Sequence, residues 1–587
     1  MNTKVSMPSA HAITAGDAAS IGSVPSLDRA AAVIDPASLE ILRMQLEGIA
    51  DRMQDALVRS AISSIAREGM DCAAAIFLPD GRVIAQARSL PLLLGSMIPA
   101  VAGILNAFPL QCMRDGDALL MNDPWSGGTH LPDMVMIKPV MLDGAVVALT
   151  AAILHHQDIG GSTPGSLPPD ATDVFVEGLR LPPVRWRQGG QIDPGLRAVL
   201  AANSRTPDNL LGDLDAQWAA ISLGEREVQE LARAQGGVFA PGCDALIQQA
   251  ERMTRAALAA LPDGVFTRAD RLDARGTPPG KLPIHAAGNS LGNAPGDASS
   301  HAPGHTPGNT PGHTPGVTLH VTLTKTGDRL HIDFTGSSPQ AAAPINAPPA
   351  AILAALFFFM RTLAPDAPSN QGCLMAADWV LPQGSIVNPR FPAAVNARTA
   401  TVKLACNTLL AAWAKADPAR ASAPNSGVAV VMAVGGKDAA GRPYFFTEII
   451  AGGAGAGPAG AGASGISTDV GNGKNLPVEM LESQAPLRLE TYRRRRGSGG
   501  AGRHAGGDGV VRTYLLLEGE ATVSYRGERH DAGAPGAQGG AAGAPSRAQV
   551  VRRDGSIEPL ASKTRFIWRA GDRLTIETAG GGGWGAP

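Results

Sequence analysis

From Leu39 onward, apolar residues recur at every third or fourth position: Leu42, Leu46, Ile49, Met53 and Leu57. That is the period of one helix face. Asp35-Pro36 supplies an N-cap and a first-turn proline, so the pattern predicts a long amphipathic helix over residues 35–66. The period then changes. Residues 72–77 and 82–87 flank Pro79-Asp80-Gly81 and predict a hairpin. The apolar stretch 90–108 predicts a buried helix. Strands are predicted at 118–122, 134–141 and 145–155, the last two joined by Asp143-Gly144. Helical spacing returns over 196–203, 206–223, 225–234 and 244–261, and again over 350–363 and 401–416. Residues 317–324 and 329–335 flank Thr326-Gly327-Asp328 as a further hairpin. Residues 510–517 and 520–525 predict strands, and 575–585 a strand that runs into four consecutive glycines.

Blocks of helix among blocks of antiparallel hairpin predict an α+β (mixed) fold. The expected architecture is a multi-sheet, multidomain globular protein with a long N-terminal helix and a small C-terminal β unit. The expected divisions are a disordered leader over 1–34, an N-terminal α/β region over 35–275, a low-complexity insertion over 276–316, a central α/β region over 317–495 and a C-terminal β-rich region over 496–587. The insertion carries a four-residue repeat that includes His305-Thr306-Pro307-Gly308 and His313-Thr314-Pro315-Gly316; such a tract buries nothing and reads as a flexible connection between two strands. The Gly/Ala-rich stretches 451–465 and 533–545 read as loops.

Composition narrows the function classes. With 587 residues, 44% of them hydrophobic, the chain can bury large cores. Its formal net charge of −2 gives no reason to expect nucleic acid or an anionic membrane as partner. The five cysteines, Cys72, Cys112, Cys243, Cys373 and Cys406, form no C-x-x-C pair, which speaks against a disulfide framework and a Cys-based zinc site and for a reducing cytoplasm. The first 32 residues lack a continuous apolar segment, so no secretory signal is expected. The longest apolar run, 350–359, is too short to span a bilayer.

The candidate chemistry sits in two short constellations. His130-Leu131-Pro132-Asp133 ends a loop that begins at Asn122 and contains Gly127 and Gly128. His155-His156-Gln157-Asp158 closes the apolar run of the 145–155 strand and opens into Gly160-Gly161. Imidazole nitrogen with carboxylate oxygen suits zinc, manganese or iron better than magnesium or calcium. Adjacent residues of a strand face opposite ways, so one of His155 and His156 is expected to face the His130/Asp133 loop while the other packs or orients the site. Asp158 reads as an orienting group. Glu68 and Asp71, between the long helix and the first hairpin, are candidate further ligands. Asp123 reads as a loop cap, and Glu177 as a surface carboxylate. No Gly-x-x-x-x-Gly-Lys-Ser/Thr loop is present for ATP, no Gly-x-Ser-x-Gly elbow presents a nucleophile, and no cysteine has an evident basic partner.

These residues carry a resemblance. Asn122 to Asp133 (NDPWSGGTHLPD), His155 to Gly161 (HHQDIGG), Pro164 to Pro183 (PGSLPPDATDVFVEGLRLPP), Asp333 to Ser337 (DFTGS), Gly499 to Gly509 (GGAGRHAGGDG) and the terminal GGGGWG are similar to the hydantoinase B/oxoprolinase family. The resemblance runs from about residue 35 to the end. Departures are the His-Thr-Pro-Gly and Gly/Ala-rich insertions, and Leu476 where the family carries Thr. The resemblance implies the metal-dependent hydrolytic subunit of an ATP-dependent cyclic-amide hydrolase, opening rings of the 5-oxoproline or hydantoin type. It implies Glu68, His130, Asp133 and His155 as ligands of a divalent transition metal (manganese, zinc or iron), with Asp158 and His156 as supporting catalytic residues. It also implies a hetero-oligomer in which a hydantoinase A-type, actin-like subunit uses the ATP. The alternatives are a subunit of an ATP-dependent ketone carboxylase and a non-catalytic scaffold for the ATPase.

Overall fold

The computed structural model describes residues 34–273, 316–427 and 430–587. The expected leader, up to residue 33, and the repeat tract, up to residue 315, lie outside the described residues.

The first helix runs Pro36–Ser60, and the Asp35 carboxylate accepts the amides of Ala37 and Ser38 as expected of its N-cap. It stops short of residue 66 for a tertiary reason. Asp213 Oδ1 accepts the amides of Ile62 and Ser63 at 2.7 and 3.1 Å, which fixes a turn before the short helix Ser64–Arg67. The two helices expected over 206–223 and 225–234 are instead one, Pro207–Gln235. Gly224 does not interrupt it. A Cβ there would stand 2.3 Å from Met53 Sδ, so the glycine lets this helix approach the first one closely.

Seven strands build the sheet that positions the candidate site: β1 (Cys72–Phe77), β2 (Val83–Gln86), β3 (Ala118–Met121), β4 (Asp133–Leu142), β5 (Ala145–His155), β6 (Val184–Gln188) and β7 (Gln191–Ile192). Their order is β2-β1-β5-β4-β3-β6-β7, with every pair antiparallel. Both faces are buried, which is why the central strands read as continuous apolar runs. Ala73, Ala75, Phe77, Val135, Ile137, Ala151 and Ile153 face a core shared with the helices Pro91–Ala107, Pro349–Leu363 and Arg398–Trp413. Cys72, Ala74, Ile76, Met134, Met136, Ala152 and Leu154 face a second core, closed by Pro36–Ser60, Pro207–Gln235 and Phe239–Ala259.

The remaining strands correct the expected divisions. A four-stranded sheet pairs Gly264–Arg271 with Thr318–Thr326, so a strand of the expected N-terminal region joins the central one across the insertion. Strand Val430–Lys437 pairs with Glu520–Arg526, and Leu487–Arg494 with Val510–Leu516. The C-terminal β unit is therefore two sheets over one core, with strands drawn from well before residue 496.

The Gly/Ala-rich stretches are not the loops expected of them. Segments around 452–465, 498–509, 533–545 and 579–585 pack backbone against backbone. Gly507 donates to Ala454 O at 2.8 Å, Gly581 to Gly507 O at 2.9 Å and Gly583 to Ala541 O at 2.9 Å. A Cβ on Gly581 would lie 1.9 Å from Ala454 O, and one on Gly506 2.0 Å from Gly581 O. Glycine is required here because neighbouring chains meet with no room for a side chain. The terminal glycine run is part of this lattice rather than an anion-binding turn.

Candidate metal centre

The seven-stranded sheet brings the two sequence constellations together at one end. β4 begins at Asp133 and β5 ends at His155, and these two residues are direct cross-strand partners. His155 N–H donates to Asp71 O at 3.0 Å, and His156 N–H to Pro132 O at 2.8 Å. Counting outward from the core-facing residues Ala73, Val135 and Ile153 in steps of two reaches Asp71, Asp133 and His155, which therefore share a face. The loop that carries His130 is pinned on both sides. Asn122 Nδ2 donates to Leu131 O and Leu179 O, while its Oδ1 accepts Leu181 N–H at 2.6 Å. Gly127 (φ 108°) presses on the Pro91–Ala107 helix; a Cβ on it would lie 2.2 Å from Pro99 O. Asp123 caps the short turn before it by accepting Trp125 N–H.

His130, Asp133 and His155 are all buried, and one ligand atom from each lies within 4.8 Å of the others. The imidazole centroids are 5.0 Å apart. His155 Nδ1 is 3.1 Å from Asp133 Oδ1. His130 Nδ1 lies 3.0 Å from Asp133 Oδ2 yet makes no hydrogen bond, so it is a buried nitrogen without a partner. Asp133 Oδ2 also accepts Thr129 Oγ1–H at 2.7 Å and an N–H of Arg398, which stands at the start of the Arg398–Trp413 helix.

The electrostatics suit metal ligation. Burial, helped by the Arg398 charge, pushes the His130 imidazole down to about 3, so it is neutral near pH 7 with a lone pair to offer. Burial alone raises the Asp133 carboxyl, but Arg398 and the two imidazoles outweigh it and hold the group well below the usual carboxylate range. Asp71 is buried beside them. Burial raises it, with no cation paired to it among the described residues. A buried imidazole nitrogen without a donor, next to two buried carboxylates, fits a divalent cation with mixed nitrogen and oxygen ligands.

The other expected residues take different places. Glu68 is half-buried at the C-terminus of the Ser64–Arg67 helix and does not belong to the three-residue cluster. His156 lies on the opposite face of the sheet. Its Nε2 is 3.1 Å from Gln217 Oε1, and Gln217 donates to Met134 O and Ala152 O. Burial pushes His156 down to about 4. Asp158 staples a loop: it accepts Gly160 N–H, Gly165 N–H, Arg205 N–H and the Arg205 guanidinium. Neither residue touches the cluster. Glu177 is not a surface carboxylate. It is fully buried and accepts Val395 N–H, Asn396 N–H and the Asn396 amide, and burial pushes it up to about 8.

A cavity of about 60 Å³ opens onto the cluster, lined by Asp71, His130 and His155. Its cationic wall is Arg398, Lys403 and Arg526, and its apolar wall includes Leu90, Leu92 and Val470. None of the three cations was legible in the sequence. They come from segments far along the chain, and the run Asn396-Ala397-Arg398 has no spacing relation to the His-x-x-Asp loop.

The comparisons agree with this geometry. The hydantoinase B/oxoprolinase family profile matches residues 35–587. The 5-oxoprolinase 1 of Arabidopsis thaliana is 31% identical over 94% of this chain, which spans only 42% of that protein's length. The crystal structure of the ATP-dependent caprolactamase from Pseudomonas jessenii has a TM-score of 0.81 at 27% identity, covering 94% of this chain and 92% of that one. A nucleotide-free acetone carboxylase structure has a TM-score of 0.82 at 18% identity, covering 94% and 76%, and shares the fold. A profile match from the cap of the first helix to the last residue, over this sheet and these loops, means that the chain belongs to the hydantoinase B/oxoprolinase family.

Proposed function

We propose that this chain is the metal-bearing hydrolytic component of an ATP-dependent cyclic-amide hydrolase acting on rings of the 5-oxoproline or hydantoin type. The observation that carries the reading is the buried convergence of His130, Asp133 and His155 within 4.8 Å beside an unpartnered imidazole nitrogen. The names of the similar 5-oxoprolinase and caprolactamase support cyclic-amide chemistry.

In this reading the two imidazoles and the Asp133 carboxylate hold a divalent transition metal. The fourth ligand comes from the 68–71 turn: Glu68 by resemblance, or Asp71 by its place beside His155. The bound ion supplies Lewis-acid polarisation of a carbonyl oxygen and a water acidic enough to ionise near neutral pH. The protein does the rest. Arg398 and Thr129 fix the Asp133 carboxylate through Oδ2. The apolar wall at Leu90, Leu92 and Val470 limits bulk water, which strengthens every charge interaction inside the cavity.

ATP is used by a partner. This chain covers only 42% of the similar 5-oxoprolinase, so a hydantoinase A-type subunit in a hetero-oligomer supplies the remainder. Among the described residues no helix is long and apolar enough to cross a membrane, which accords with work beside a cytoplasmic partner.

The test is metal analysis of the purified protein and of His130→Ala, Asp133→Ala, Glu68→Ala and Asp71→Ala. The first two are expected to lose the ion, and the last two identify the fourth ligand. Unchanged metal content in both His130→Ala and Asp133→Ala sinks the reading. Assays with the ATP-using partner on 5-oxoproline, a hydantoin, or a ketone with bicarbonate then fix the reaction; turnover of the ketone alone would replace hydrolysis by carboxylation.

A further inference from the structure

Arg526 ends the strand Glu520–Arg526 and reaches the cavity wall beside His130 and His155. It is 8% exposed. Its Nη1 donates to Asn396 O at 2.9 Å and also to Asn396 Oδ1. Both acceptors are neutral, and it makes no ion pair with a carboxylate among the described residues. This is unusual for a buried guanidinium, because removing an unpaired charge from water costs several kcal/mol. The carboxylates nearby are committed elsewhere. Glu177 spends Oε1 on Val395, Asn396 and the Asn396 amide, and Asp133 is paired with Arg398. The other two cations of this wall do have anionic company: Arg398 has Asp133, and Lys403 stands 4.0 Å from Asp469. Arg526 alone brings an uncompensated fork of donors to the cavity.

We infer that Arg526 is the anchor of an oxyanion subsite, holding a carboxylate or phosphate group of the ligand while its reacting carbonyl lies toward His130 and His155. The inference rests on the cavity being the site of the proposed function, and it narrows the substrate to one that carries a negative charge when it arrives. A planar guanidinium suits either oxyanion because two parallel N–H groups match two oxygens. The contact to Asn396 orients the side chain and leaves the rest of the fork for the ligand.

The experiment measures equilibrium binding of inorganic phosphate and, separately, of acetate to the full chain and to Arg526→Gln and Arg526→Lys, each with matched chloride. Wild type is expected to bind at least one of the two anions at a single site. Arg526→Gln is expected to weaken that binding roughly tenfold to a hundredfold, the range for one charge-assisted pair. Arg526→Lys keeps the charge without the fork and is expected to fall between; it stands in if the Gln variant does not fold. Phosphate alone marks a phosphorylated ligand, acetate alone a carboxylate-bearing one, and binding of both supports the shared chemistry. No saturable binding by wild type, or equal affinity in wild type and the folded variants, overturns the inference. His130→Ala separates the two ideas: loss of metal with anion binding kept leaves the subsite standing whatever reaction the centre performs.

Discussion

Replacing Arg398 by Met keeps much of the side-chain volume and removes the charge that sits on Asp133. Both partners are almost completely buried, 3% and 1% exposed, so solvent does not screen the pair. Removing one member of such a pair strands the other and costs about 3–5 kcal/mol. Thr129 and His155 still bond the Asp133 carboxylate, which places the expected loss toward the lower figure. The same carboxylate is a proposed metal ligand. Without Arg398 its full charge is available to a cation, and ion binding offsets the loss. An ion at a hundred times its dissociation constant stabilises the native state by about 2.7 kcal/mol. The assay is thermal unfolding of wild type and Arg398→Met, each stripped with chelator and each with manganese or zinc added back. The stripped variant is expected to melt well below stripped wild type, and added metal should raise the variant more. Equal melting of the two stripped proteins would refute the claim that Arg398 neutralises Asp133. A variant that metal stabilises no more than wild type would refute the claim that the same carboxylate binds the ion.

Other expectations follow from the buried groups and from the glycine lattice. The Glu177 carboxyl, raised from 4.5 to about 8, contributes stability that is complete below pH 4.5 and is lost as pH rises through 8. Glu177→Gln, which keeps a side-chain oxygen for Val395 and Asn396, should therefore flatten melting temperature between pH 5 and roughly pH 8.5; an unchanged slope would show the carboxyl to be ionised throughout. His130 and His156, lowered from 6.5 to about 3 and about 4, contribute stability present above pH 6.5 and lost as acid falls through that window. His156→Gln should shrink the acid-side loss without altering metal content, since the residue faces Gln217 rather than the cluster. Gly581→Ala, whose Cβ would meet Ala454 O at 1.9 Å, should cost about 3 kcal/mol or more or give insoluble protein. Gly237→Ala, with open space around its Cβ, should be neutral within about 0.5 kcal/mol. Similar melting of these two variants would show that the glycine segments are not close-packed.

Much of the local structure was legible because it depends on periods that neighbours in the chain fix. The three-and-four spacing from Leu39 to Leu57 gives the face that Pro36–Ser60 buries. The alternation in residues 72–77 and the long apolar runs of 133–142 and 145–155 give strands that bury both faces. Strand geometry alone requires His155 and His156 to point apart, and it does not say which one meets His130. Where the periods misled, a contact from elsewhere decided. Gly224 read as a break and is a close approach to Met53. Asp213 ends the first helix early.

The sequence by itself determined the elements and the residues offered for chemistry: the His-x-x-Asp loop, the paired histidines and the acidic 68–71 turn. Tertiary structure decided which of them meet. Cross-strand register sets Asp133 opposite His155, and the backbone bond from His155 to Asp71 brings the turn beside them. It also recruited Arg398, 265 positions from Asp133 along the chain, and Arg526 from another sheet. The physical reason is that a local period encodes only which way a side chain leaves its own element. Pairing between charges hundreds of residues apart, or between glycine segments with no side chains to mark them, exists only after the layers have packed.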